Sequence, residues 1–389
     1  MRILVVSPFE PHPGADHGGA VYLGTFLAEL ARHVELAVVA FGHEPRSEPL
    51  DGVPCHTVPF RRNHQMTAGE LFRRRLRLLW SWGRGRLPLL VAKHRSRAFR
   101  NLLHRVCAAF RPQLCLVEFA VMAQYLADLR QLHCVLTDHE HGLALPPKIG
   151  PGTWGRRRDQ ALWGDYVRRY YSQADVVQAL ARADADRLQA VLERPVNVRP
   201  PLVPVPATPV APAGTGRRLL FLGDYQHHPN PEAAVFLARE VMPRVLDQVP
   251  DAELWLAGPR ANDEVWALQK PGVRVLGYVD DLAATLAQVR CLVAPVFSGS
   301  GVRIKVLTAL AHGLPVVANS LGLQGVAAPH SALGRGETAD ELATACVHFL
   351  DSPEAAATAG AAGREWATKN LGAAKLVEQQ LQLFRTLVS

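Results

Sequence analysis

The six cysteines form no C-x-x-C pair, and nothing acidic except Glu70 lies between Arg61 and Arg105. The chain also lacks any apolar run of about 18 residues, the length a membrane-spanning helix needs. Each absence excludes something. Cys55, Cys107, Cys115, Cys134, Cys291 and Cys346 lie mostly in apolar stretches such as VRCLVAPV. That pattern reads as buried free thiols in a reducing compartment, not as a disulfide framework. The opening MRILVVSPF has a short apolar run and no cleavage-site pattern, so a core strand is expected and not a leader. A cytoplasmic location follows as the expectation. No recognised nucleic-acid-binding module accompanies the positive charge, so no nucleic-acid partner is expected.

What is present is a chain of 389 residues, 48% hydrophobic, with a formal net charge of +8. That length exceeds one ordinary core and suggests two α/β domains. Short apolar runs alternate with longer helical patterns, the signature of βαβ units and parallel sheets. Residues 1–198 read as a first Rossmann-like domain, opening on the strand Arg2–Ser7 and the helix pattern AVYLGTFLAELAR. The proline-dense run RPPLVPVPATPVAPAGTG, residues 199–216, reads as a semi-stiff linker. Residues 217–370 read as a second α/β series, and residues 371–389 as a closing helix.

Six places carry polar or glycine-rich chemistry where strands end, the edge at which open parallel sheets bind ligands. Gly18 and Gly19 open the first helix, where glycine permits close backbone approach and the helix end favours an anion. SGSGVRIKVLTALAHGLPVVAN follows a strand and opens a helix: amides of Gly299, Ser300, Gly301 and Val302, with Arg303 and Lys305, suit a diphosphate. The loop GDYQHHPNPEA offers Asp224 and Asn230, with Asn230 or its neighbours expected to cap the next helix. In LGYVDDL, backbone at Tyr278, Val279 and Asp280 could face a base, or Asp280 and Asp281 could cap a helix. In the first half, QLCLVEF and CVLTDHE end in Glu118 and in Asp138 to His141.

The second half resembles the donor-binding domain of glycosyltransferase family 4, among the retaining group 1 glycosyltransferases of the GT-B fold. The likeness runs through FLGDYQHHPNPEA, DAELWLAG, VRVLGYVDD and LVAPVFSGSGVRIKVLTALAHGLPVVANSLGLQGV, nearly all of residues 217–368. The opening VVSPFEPHPGADHGGAVYLGTFLAEL is similar to the family's acceptor-domain start. The resemblance implies two Rossmann-like domains with an interdomain cleft, and a closing helix, residues 371–389, that packs back on the first domain. It also implies a nucleotide-diphosphate sugar as donor substrate with no further cofactor, and retention of configuration. Gly18 and Gly19 would then approach the diphosphate, Arg303, Lys305 and the neighbouring amides would hold it, and His139 would lie by the transferred sugar, with His141 and Glu118 behind it. The chain departs from the family where two glutamates are usual: Ser300 and Thr308 stand there. Replacing a ribose-binding carboxylate at Thr308 with a neutral hydroxyl costs about 1.5–3 kcal/mol of donor binding.

No metal is expected. Arg303 and Lys305 can take the charge a metal takes elsewhere, and the lone D-x-D, Asp184 to Asp186, falls in a helical pattern that turns the two carboxylates about 200° apart onto a solvated face. The acceptor would be a glycan, a glycolipid or a small molecule. FRRRLRLLWSWGRGRLPLLVAKHRSRAF, within residues 61–105, interleaves arginine with leucine and tryptophan, which suits an anionic membrane surface or a solvated basic helix pair. Two alternatives share the architecture: a nucleotide-sugar epimerase and a non-catalytic scaffold.

Overall fold

The computed structural model describes residues 1–12, 18–45, 49–50, 52–60, 65–85, 87–139, 153–212, 216–298 and 302–389. The chain divides into two compact units, Met1–Pro200 with Ala374–Ser389, and Pro201–Ala373.

The first unit is built on eight strands: β1 (Arg2–Ser7), β2 (Glu35–Gly42), β3 (Pro49–Leu50), β4 (Val53–Pro59), β5 (Leu114–Glu118), β6 (His133–Asp138), β7 (Val176–Ala179) and β8 (Asn197–Val198). Their order is β3-β4-β2-β1-β5-β6-β7-β8, all parallel except the short β3, which runs antiparallel to β4. The central strands are buried residue after residue, as parallel strands covered by helices on both faces must be. The chain winds one way from β1 to β2 and β4, and the other way from β5 outward. The carboxyl ends of β1 and β5 therefore bound the topological switch point, and Glu118 is the last residue of β5.

The second unit repeats the plan with β9 (Arg218–Leu222), β10 (Glu253–Ala257), β11 (Val273–Gly277), β12 (Cys291–Val293), β13 (Val316–Ala318) and β14 (Leu333–Arg335). Their order, β11-β10-β9-β12-β13-β14, puts the switch point between β9 and β12. The helix after β9 begins at Pro229 and passes through a π-type turn at Leu237–Val241 before Met242–Leu246. Pro243 has no amide to continue a regular ladder there. The glycines at this sheet's mouth are there for room. A Cβ on Gly258, whose φ is +137°, would lie 1.9 Å from the Gly223 carbonyl oxygen.

Some expectations hold and others change. The proline-rich run, read as a semi-stiff linker, joins the two units and makes contacts of its own on either side. Arg199 belongs to the first unit, while the stretch from Pro201 packs on the second, where Arg364 donates to the carbonyls of Pro206 and Ala207 and the Val210 amide donates to His312. The closing helix, Ala373–Val388, buries Leu376, Val377, Leu381 and Phe384, and from Ala374 onward it is part of the first unit. Asp184 is buried and not solvated; it lies in the first turn of the helix Arg182–Leu192, where unpaired amides favour a carboxylate, while Asp186 is exposed. All six cysteines are free, and Cys107 is only half-buried. No helix among the described residues is long and apolar enough to cross a membrane.

Gly258→Ala tests the crowded mouth. Forcing a Cβ into that φ and against a carbonyl is expected to destabilise the second unit by about 2–4 kcal/mol. Thermal unfolding followed by circular dichroism reads the change, and an unshifted midpoint contradicts the geometry.

Candidate functional site

In the first unit the switch point holds a buried cluster. Glu118 has no solvent exposure, and Arg199, which follows β8, is nearly as buried. Arg199 donates from Nη1 to Oε1 at 2.9 Å and from Nη2 to Oε2 at 2.8 Å, a bidentate pair. His139, the first residue after β6, places Nε2 2.6 Å from Glu118 Oε2. Its ring stacks on Phe119 at 3.8 Å and meets Tyr22 edge-on at 5.3 Å. Phe119 takes φ +72°, a conformation costly for a bulky residue, and thereby lays its ring over the imidazole. A Cβ on Gly19 would sit 3.2 Å from that same ring. Gly18 and Gly19 begin the helix Gly18–Leu30, so its amino end, Phe119 and His139 converge.

Burial by itself would raise the Glu118 pKa. The Arg199 guanidinium and the His139 hydrogen bond overturn that and hold it at about 2. Burial lowers the His139 pKa, and the opposing pull of Glu118 does not restore it. Tyr22 is pushed up to about 12, mainly by burial. Glu118 is thus a permanently ionised anchor with both oxygens occupied, not a free acid or base. His141, the third residue named with it from sequence, lies outside the described residues.

In the second unit, polar side chains from three strand ends meet at the switch point. Asp224, after β9, receives Arg260 Nε at 3.0 Å and a second bond from Arg260 Nη2. Arg260 follows β10 and adopts φ +62°. Burial would raise the Asp224 pKa, but these bonds and the Gln226 amide bring it below the usual value. Asn230 donates Nδ2–H to the Asp224 carbonyl at 2.8 Å and accepts Lys305 Nζ at 2.8 Å. Asn230 therefore is not the helix cap expected from sequence. The position before the helix is His228, which makes no side-chain cap bond, and the amide of Asn230 is spent on holding a cation. Lys305 Nζ also lies 4.2 Å over the Phe221 ring. Burial, aided by Arg303, lowers the Lys305 pKa to about 7. The same two cations, after burial, help to lower that of His227.

Arg303 and Lys305 stand at the start of the helix Ile304–His312, which Gly313 ends in the left-handed region at φ +81°. Val302 precedes them, while Gly299, Ser300 and Gly301 lie outside the described residues. Thr308 is one turn further along; its carbonyl accepts His312 Nδ1 at 2.8 Å. Tyr278, Val279 and Asp280 follow β11, with Tyr278 and Asp280 exposed. Of the two aspartates there, Asp281 is the cap: it accepts the Ala284 amide at 2.9 Å and leaves Asp280 outside the helix. Sequence reasoning missed Arg199, Arg260, Tyr22 and Phe119. An arginine before a diproline and one after Gly-Pro carry no local pattern, since their partners are far away in the chain.

Two doubly wound, Rossmann-like units of this kind define the GT-B fold, and solved structures agree. Sucrose-phosphate synthase from Thermosynechococcus elongatus superposes with a TM-score of 0.71 at 18% identity, over 100% of this chain and 99% of that one. The Anabaena HepE protein, solved with UDP, gives 0.66 at 12% identity, over 99% and 100%. Trehalose 6-phosphate synthase from Burkholderia multivorans gives 0.65 at 12%, over 99% and 98%. More particularly, residues 216–352 match the family model of glycosyl transferases group 1. A phosphatidyl-myo-inositol mannosyltransferase from Mycobacterium leprae is 32% identical over 112 residues. That stretch is 27% of this chain and 29% of the relative, so the chain matches under a third of it.

A cation with a pKa near 7 binds a polyanion with proton uptake once the medium is more alkaline than that value. Relative to Lys305→Ala, wild type is therefore expected to lose affinity for inorganic pyrophosphate between about pH 6 and about pH 8.5, with more protons taken up at the alkaline end. Calorimetry in buffers of different ionisation enthalpy checks this; equal uptake by the two proteins contradicts it.

Proposed function

We propose that the chain is a glycosyltransferase that moves a sugar from a nucleotide-diphosphate donor to an acceptor hydroxyl, with retention and without a metal. The expected setting is cell-surface polysaccharide or glycolipid synthesis. One observation carries the reading. Lys305, steered by Asn230 and accompanied by Arg303, is set at the switch point of a unit whose sequence matches group 1 glycosyl transferases. As the bond between sugar and diphosphate breaks, the leaving group gains negative charge. Cations already in place stabilise it without reorganisation, which lowers the barrier. Val302 and the backbone beside it would add amide donors, Tyr278 to Asp280 would face the base, and His139 would address the sugar. A relative solved with UDP supports the choice of ligand class.

Transfer and donor hydrolysis assays on wild type, Lys305→Ala and His139→Ala test the reading. Loss of a fixed transition-state donor is expected to cost roughly 10²–10³-fold in kcat for Lys305→Ala. Equal, background-level turnover in all three favours a scaffold. Interconversion of free nucleotide sugars without acceptor favours an epimerase.

The place of action is proposed to be an anionic membrane surface. The helix Ala68–Gly83 starts with a capping box made by Thr67 and Glu70, so its one acid is committed to its own amino end. Phe72, Leu76, Leu79 and Trp80 are 63%, 51%, 53% and 59% exposed. At about 100° per residue they occupy a single arc of roughly 100°. Arg75 borders that arc on one side, Arg73 and Arg77 on the other, and none of the three forms an ion pair among the described residues. Arg84 lies 4.1 Å over the Trp80 ring. An exposed apolar stripe edged with arginine suits headgroups and acyl chains together. The full chain is expected to sediment with phosphatidylglycerol vesicles and not with pure phosphatidylcholine. Replacing Arg73 and Arg75 with glutamine removes about 2 kcal/mol, roughly thirtyfold in affinity at low salt. Equal sedimentation with both lipids, or with neither, overturns the placement, as does self-association through the stripe.

A further inference from the structure

Glu118 has two carboxylate oxygens, and Arg199 takes both, leaving His139 Nε2 to share Oε2 at 2.6 Å. The three side chains are 0%, 2% and 4% exposed. In such a place charge must balance. One guanidinium and one carboxylate already balance, and burial keeps a second proton off the imidazole against the pull of Glu118 and of the buried Asp138. A neutral imidazole carries one N–H. An ionised carboxylate only accepts, so that N–H must be on Nε2. The other nitrogen, Nδ1, makes no hydrogen bond among the described residues and carries a bare lone pair.

The remaining groups around the ring do not disturb this assignment. Phe119 stacks on it and Tyr22 packs edge-on, and both aromatic rings leave the proton on Nε2. Asp138 precedes His139 in the chain and accepts the Tyr171 hydroxyl at 2.8 Å. Its charge draws the imidazole toward protonation, as Glu118 does, while Arg199 opposes it; burial outweighs the attraction and the His139 pKa stays below its usual value.

We infer that Glu118 and Arg199 are positioning residues which lock His139 in the Nε2–H tautomer and present its Nδ1 as a fixed acceptor for a ligand hydroxyl. Only the identity of that hydroxyl, a sugar's, rests on the transferase reading. The lock itself is a property of the first unit. It gives Arg199 a role that reaches beyond ion pairing. Remove its charge, and Glu118 is left with His139 as its one cation, so the imidazole gains a proton and Nδ1 ceases to accept.

Nitrogen-15 NMR of histidine side chains in the full chain tests this, with His139→Gln assigning the signal. Wild type is expected to show a protonated Nε2 and a bare Nδ1 across the neutral range. Arg199→Gln is expected to raise the His139 pKa by about a unit or more, while Arg199→Lys, which keeps the charge, stays close to wild type. A purely structural role for Arg199 lowers stability without moving this titration. If Arg199→Gln does not fold, Glu118→Gln carries the test, because its amide can donate or accept and both tautomers become populated. A wild-type proton on Nδ1, an unmoved pKa in folded Arg199→Gln, or a single unchanged tautomer in Glu118→Gln overturns the inference. No donor or turnover is involved, so failure here is separate from failure of the transferase reading.

Discussion

A charge removed from water must find its opposite, and this requirement shapes both switch points. Parallel sheets covered on both faces leave little but strand ends for polar chemistry. Glu118 ends β5 and Lys305 lies in the first turn of the helix that follows β12, and each is tolerable only because something distant in sequence reaches it. Arg199 is 81 residues from Glu118, and Asn230 is 75 from Lys305. The two solutions differ. Glu118 is fully neutralised by a guanidinium, which makes it an anchor. Among the described residues Lys305 has only a neutral amide and an aromatic face, so its charge is under-compensated, and burial lowers its pKa to about 7. An under-compensated cation is what a polyanionic ligand can complete. On the reading proposed above, the first arrangement organises a neighbour and the second receives a ligand.

The same contrast ranks the candidate residues. Among the described residues His139 keeps an open nitrogen at a buried position, which fits direct contact with a ligand. Glu118 has no solvent exposure, and both of its oxygens already accept hydrogen bonds. Asp224 resembles Glu118 in the second respect, since Arg260 grips its carboxylate and its carbonyl holds Asn230. Asp224 thus acts on Lys305 through Asn230.

Much of this was legible from local pattern. The alternation of apolar runs and helices gives the two sheets, and GSGVRIK after a strand marks the cationic helix start. Gly313 stops that helix where expected, because a residue at φ +81° there favours glycine. What was not legible depends on distance or on edges. The strands β3, β4 and β8 are short or interrupted by Pro49, Pro54 and Pro59, so their period is weak. Arg199 looked like the first residue of a linker because two prolines follow it, and its carboxylate partner is invisible to any window. Asn230 looked like a cap because asparagine before a helix usually is one; the nearby ammonium competes for the same oxygen. Asp184 looked solvated because its neighbours are polar, yet the helix turns it inward.

The central claim is that the second unit's cations hold the diphosphate of a nucleotide sugar. The most direct measurement is the unfolding temperature across a panel of nucleotide diphosphates and their sugars, for wild type and Lys305→Ala. At a hundredfold over its dissociation constant the right donor stabilises the folded chain by about 2.7 kcal/mol. The account predicts an upward shift with at least one such ligand that is lost or much reduced in Lys305→Ala. No shift with any of them at millimolar concentration, or an equal shift in both proteins, contradicts it.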